Sequence, residues 1–77
     1  MFSAREEKII KVLGRRRMTY ASLVEEVFDD SDKPFDAEIS IGNSVRKIEK
    51  KCEAEGLKWT LVRKKQNGKL TVWRIGA

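Results

Sequence analysis

Apolar residues recur at a helical period through the first two thirds of this chain and at a strand period through the last third. Ile9, Ile10, Val12 and Leu13 make one face that stops at Gly14, and Ser3 followed three residues later by Glu6 fits a capping box. This predicts a first helix over about 4–13. Thr19 caps a second, over about 20–28, in which Leu23, Val24, Val27 and Phe28 recur three and four apart. Asp29 to Asp36 is acidic, carries the only proline and reads as a loop. Beyond it Ile41, Val45, Ile48 and Cys52 step by four, three and four, which keeps them in one narrow stripe of a third helix over about 37–55. Asp36 or Ser40 caps this helix, Ile39 falls off the stripe, and Gly56 supplies the stop.

The period then changes. Residues 59–65 and 69–75 are rich in β-branched and aromatic side chains and flank Asn67-Gly68, the strongest short signal for a hairpin with a two-residue turn. Such a turn pairs Gln66 with Lys69, Arg63 with Val72 and Val62 with Trp73. Neither face of that hairpin is cleanly apolar, so its base is expected to pack on the helices and its tip to project into water. The fold class expected is α+β, with three helices followed by a C-terminal β-hairpin in a single domain over 1–77.

With 77 residues, folding buries only about 60% of the unfolded chain's surface, so one modest core is available and a buried substrate cleft is not expected. No histidine is present to serve as a base near neutral pH or as a metal ligand. The single Cys52 forms neither an intramolecular disulfide nor a C-x-x-C pair, which points to a reducing compartment. The opening seven residues are polar and lack the apolar core of a signal peptide, and the uncharged runs are too short to span a bilayer. A soluble, cytoplasmic protein is expected, with no cofactor, no small-molecule substrate and no membrane partner. An enzyme is not expected, since the sequence assembles no nucleophile–base pair, phosphate-binding glycine loop or metal cluster. Asp29, Asp30, Asp32 and Asp36 lack the sixth-position glycine and terminal glutamate of a calcium loop.

The formal charge is +5, but its distribution says more than its total. Residues 1–24 sum to +4, 25–42 to −6 and 43–77 to +7. Such segregation suits a molecule that meets a polyanion, and it also describes a solvated, lysine-rich surface.

The order helix, helix, long helix, basic hairpin resembles the winged helix-turn-helix DNA-binding superfamily over nearly the whole chain. Residues 18–27, MTYASLVEEV, look like the segment in which a short first strand runs into the scaffold helix of such domains. Residues 41–52, IGNSVRKIEKKC, are similar in outline to the third helix of response-regulator effector domains, V-D-V-H-I-x-R-L-R-K-K-L, with Lys47 and Lys50 on its basic positions. The short wing motif of that branch, T-V-R-G-x-G-Y, is absent, and the hairpin here is longer. The resemblance implies that helix three enters the major groove of double-stranded DNA while the hairpin touches backbone or minor groove.

The residues themselves fit that chemistry. Opposite the apolar stripe stand Asn43, Arg46, Lys47 and Lys50; Arg and Lys donate to guanine and Asn pairs bidentately with adenine. Asn43 and Arg46 are the expected base readers, with Ser40 a lesser one, and Lys47 and Lys50 are expected on phosphates. Around the hairpin turn Arg63, Lys64, Lys65 and Lys69 add further phosphate ligands, with no acid after Glu55. The same lysines also suit an exposed strand edge, where they discourage aggregation. Arg15, Arg16 and Arg17 read as solvating a tight connection, and Trp59 and Trp73 as structural. One helix and one wing read few base pairs, so a homodimer, a repeated site or a partner protein is expected alongside DNA. The alternative is a protein-interaction module that uses the acidic 25–38 surface or the hairpin.

Overall fold

A computed structural model describes residues 2–31 and 33–76. Asp32, one of the four loop aspartates considered above, lies outside the described residues. The elements run α1 (Ala4–Leu13), β1 (Met18–Thr19), α2 (Tyr20–Val27), α3 (Ala37–Ala54), β2 (Trp59–Gln66) and β3 (Lys69–Gly76).

Each start and stop has a local cause. Ser3 Oγ accepts from the Glu6 amide at 3.2 Å while Glu6 Oε1 accepts from the Ser3 amide at 2.9 Å, closing the capping box of α1. Thr19 Oγ1 accepts from the Ser22 amide at 3.1 Å and starts α2. That helix ends at Val27, one residue before the expected end, because Phe28 turns to extended backbone. Asp36 occupies the cap position of α3 without a side-chain hydrogen bond. At the other end Gly56, at φ +63°, lets the Gly56 amide donate to the Glu53 carbonyl and the Leu57 amide to that of Cys52, the paired bonds of a Schellman stop.

The three strands form one antiparallel sheet in the order β1-β3-β2. Asn67 and Gly68 both adopt positive φ, 52° and 77°, as a type I′ turn requires, and the strands pair Gln66 with Lys69, Arg63 with Val72 and Val62 with Trp73 as the turn predicts. β1 adds Met18 opposite Val72 and Thr19 opposite Thr71. It falls on the segment where the family resemblance implies a short first strand.

One core joins the layers. Ile9 and Leu13 of α1, Leu23 and Val27 of α2, the α3 stripe Ile41, Val45, Ile48 and Cys52, and Leu61 and Val72 of the sheet are all buried together. Phe2, Ile10, Val12 and Trp59 pack on its edge. Burial raises the Cys52 thiol above its ordinary pKa, against a hydrogen bond from Thr60, so it behaves as a small apolar core group. The hairpin base is buried at Leu61, Thr71 and Val72, while residues 63–70 are exposed.

Candidate nucleic-acid interface

The geometry of α3 decides where its polar side chains go. The buried stripe 41, 45, 48, 52 has a counterpart two residues earlier, Ile39, Asn43, Arg46 and Lys50, with the same steps of four, three and four. Two residues turn a helix by about 200°, so this second row looks away from the core. All four of its side chains are exposed, as is the adjoining Lys47, while Ser40 is half-buried on the Lys47 side. The row from Ile39 to Lys50 is about 16 Å long at the helical rise per residue.

The hairpin runs beside this row. Tyr20, Glu38, Ile39, Gly42, Arg46, Arg63 and Leu70 line one groove between the first half of α3 and the outer half of the hairpin. Arg46 and Arg63, from elements distant in sequence, thus meet on one side of the molecule. Gly42 lets the Tyr20 ring of α2 pack closely on α3 at the floor of this groove: a Cβ here would stand 3.3 Å from a ring carbon.

The four hairpin cations do not form one cluster. In an antiparallel pair directly opposed residues share a face and successive residues alternate. Arg63 and Lys65 therefore stand with Leu61, Leu70 and Val72 on the face turned to α3, and Lys64 and Lys69 stand with Val62, Thr71 and Trp73 on the other. Arg63 is also engaged within the chain, its Nε lying 2.7 Å from Oε2 of Glu49 on α3.

The connection before β1 is equally engaged. Arg16 donates to the Val12 carbonyl at 2.5 Å and lies 3.3 Å from Glu26, and Arg17 stacks on Trp73 at 3.9 Å from the ring centre. Arg74 covers Trp59 at 4.4 Å, and Phe2 packs on the same indole. Both indoles are half-buried, each with an arginine on its face, which agrees with a structural role for both.

The acidic segment is divided. Asp29 borders a depression beside Arg5 and Lys8 of α1, and Glu25 lies 2.9 Å from Lys33. Glu38, by contrast, stands in the groove with Arg46 and Arg63. Among the described residues no group of three His, Cys, Asp or Glu side chains gathers to hold a metal ion. No helix of the described residues is long and apolar enough to cross a membrane.

Two buried polar groups lie close to this face. Tyr20 is 5% exposed, and its hydroxyl completes no hydrogen bond. Burial raises its pKa, and the approach of Arg63, in a geometry that does not satisfy the hydroxyl, only partly opposes the rise. Glu6 of α1 is buried and lies 2.6 Å from Lys51 on the flank of α3. Burial works against its charge, but the Lys51 hydrogen bond, the Ser3 amide and the charges of Lys51 and Lys47 prevail and hold its carboxyl below the ordinary value.

Three participants escaped the sequence reading: Ile39, Tyr20 and Glu49. Ile39 carries a signal that was available, since it precedes Asn43 by four residues and so heads the outward row. Tyr20 and Glu49 act through contacts with the hairpin, which local spacing does not encode.

No protein-family model, curated protein or solved structure matches this chain.

Proposed function

We propose that the chain is a non-enzymatic double-stranded DNA-binding protein of winged-helix type, a small transcriptional regulator or accessory factor. In this reading α3 lies in the major groove and the β2–β3 hairpin follows the adjacent backbone or minor groove. The observation that carries it is the shared groove of Arg46 and Arg63, which puts the outward row of α3 and the hairpin on one side. Had they stood on opposite sides, no single duplex could meet both.

Asn43 and Arg46 sit where a groove-bound helix meets base edges, with Ser40 beside them. Lys47 and Lys50 extend the same surface toward phosphates. Lys65, with Arg63, supplies the second arm on the face turned to α3, while Lys64 and Lys69 reach a phosphate only round the exposed tip of the hairpin. Affinity in this reading is mostly electrostatic: with about five phosphate contacts, log K against log salt falls with a slope of about −4.5. The row on α3 spans about five base pairs, so a specific site calls for a second copy, a repeated site or a protein partner.

The test is a titration of labelled random duplex at two salt concentrations, followed by selection of the bound sequences. Binding with a steep salt dependence, weakened by Arg46→Ala and by the Lys64→Glu/Lys65→Glu pair while circular dichroism is unchanged, supports the proposal. Affinity indifferent to both changes refutes it.

A second reading, a protein-interaction module, has one specific observation in its favour. Phe35 is fully exposed in the acidic loop, beside Pro34 and Asp36. Capture of a partner that survives high salt and is lost on changing Glu25, Asp29 or Asp30 would establish that reading instead.

A further inference from the structure

Ile39 is the anomaly of the outward row. It is 64% exposed at the head of a line whose other members are Asn43, Arg46 and Lys50, and it lies in the first turn of α3. A branched aliphatic side chain this exposed gains little from the core, and it stands where the acidic first turn of α3, with Glu38 beside it, gives way to the donors and cations of the row. Leu70, 42% exposed on the hairpin, flanks the same groove. The ridge that carries hydrogen-bond donors for base edges therefore also carries an apolar contact, in line with them and about 6 Å further along the helix than Asn43.

The major groove offers one apolar group, the C5-methyl of thymine, and it lies on the same edge of the duplex as the acceptors that Asn and Arg read. We infer that Ile39 is a specificity-determining residue that packs on a thymine methyl about two base pairs from the one Asn43 meets. The inference rests on the DNA-binding reading above and adds to it the base chemistry read at one position. The neighbourhood favours this occupant over an apolar protein surface. Ile39 borders the depression of Pro34, Phe35 and Glu38 on one side and the Arg46–Arg63 groove on the other. Along its own row it continues into the exposed Asn43, Arg46 and Lys50, with Lys47 adjoining, whose charges and donors match a duplex and would be desolvated without compensation against an apolar partner.

The experiment uses the duplex recovered by selection. Each thymine is replaced in turn by deoxyuridine, which removes the methyl and leaves the pairing edge intact, and binding is measured for the wild-type chain and for Ile39→Ala. One replacement, or its symmetry mate in a repeated site, is expected to weaken wild-type binding about fourfold, the worth of one buried methyl, and to leave Ile39→Ala unaffected. Cytosine at that position should bind less well than 5-methylcytosine for the wild type alone. Ile39 is exposed, so the alanine variant keeps the fold, which circular dichroism verifies.

Duplex binding in which no deoxyuridine substitution separates wild type from Ile39→Ala overturns the inference and leaves the DNA-binding reading standing. Loss of self-association in Ile39→Ala with an unchanged deoxyuridine response overturns it in favour of a second copy of this chain on that face. Absence of any duplex binding overturns both readings together.

Discussion

Arg63 of the hairpin reaches across to Glu49 of α3, Nε to Oε2 at 2.7 Å, so the contact that fixes the hairpin against the helix also occupies a cation of the proposed interface. An arginine with an unpartnered guanidinium would serve a phosphate better but would leave the hairpin less firmly placed. Glu49→Gln separates the two effects. Stability should fall by about 0.5 kcal/mol, as befits a partly exposed pair, when measured by urea denaturation. Duplex affinity should rise, and the salt dependence should steepen by about 0.9 in log–log slope as Arg63 becomes available to the backbone. Lower affinity in Glu49→Gln would mean that hairpin position outweighs the released charge.

The division of hairpin cations between two faces makes a finer prediction than their number does. Lys65 shares the α3 side with Arg63, and Lys64 points the other way beside Trp73 and Val62. Lys65→Glu should therefore weaken duplex binding several-fold more than Lys64→Glu, by the same titration. Equal losses would show that the hairpin enters a groove with both faces in contact rather than lying along one strand.

On α3 the proposed function sets base readers against phosphate ligands. Substituting Asn43 or Arg46 by alanine should change the selected sequence at one position, with discrimination falling by about 1–3 kcal/mol there. Lys47→Ala should lower affinity evenly across sequences. The check is repeated selection with each variant.

The fold was largely legible because its signals are local. The Ser3–Glu6 box, the Thr19 cap, Gly56 and Asn67-Gly68 each set a boundary through a bond or a dihedral within a few residues, and the observed elements begin and end within one or two residues of those marks. The core stripe of α3 was equally plain, since four apolar residues at helical spacing leave one way to face inward. What was not legible depends on packing between distant segments. Nothing in the local spacing marks Glu49, and only the closure of the hairpin onto α3 brings Arg63 to it. Arg17 read as a solvated link, yet the β1–β3 register, Met18 opposite Val72, carries it one step on to the Trp73 ring. The hairpin lysines read as one patch because the one-dimensional string does not display the alternation of strand faces.

Tyr20 tests the cost of an unsatisfied buried hydroxyl. Its ring fills the space beside Gly42, while its oxygen finds no hydrogen-bond partner. Tyr20→Phe keeps the ring and removes the orphan, so stability should stay the same or rise by up to about 1 kcal/mol. A loss of that size would show that the hydroxyl is satisfied in solution. Tyr20 is the only tyrosine, so ultraviolet titration follows it alone. Its folded-state pKa is raised above the ordinary 10.0, meaning that the native state holds the proton longer than the unfolded chain does. Stability from this group is therefore present below pH 10 and declines above it, and Tyr20→Phe should remove that alkaline decline.

At the acid end the corresponding group is Glu6, which closes the cap of α1 and also receives Lys51 from α3, tying two helices through one carboxylate. Its folded pKa lies below the ordinary 4.5, so the unfolded chain binds the proton first as pH falls. The stability it supplies is complete above that ordinary value and is lost as acid passes through the lower, native-state one. Glu6→Gln keeps an acceptor for the Ser3 amide but loses the charge facing Lys51, and should cost about 1–2 kcal/mol at pH 7. The difference between wild type and Glu6→Gln, from urea melts taken at successive pH values, should stay constant down to about pH 5 and shrink below pH 4.5. A difference that does not change with pH would place the benefit in packing and capping rather than in the ion pair.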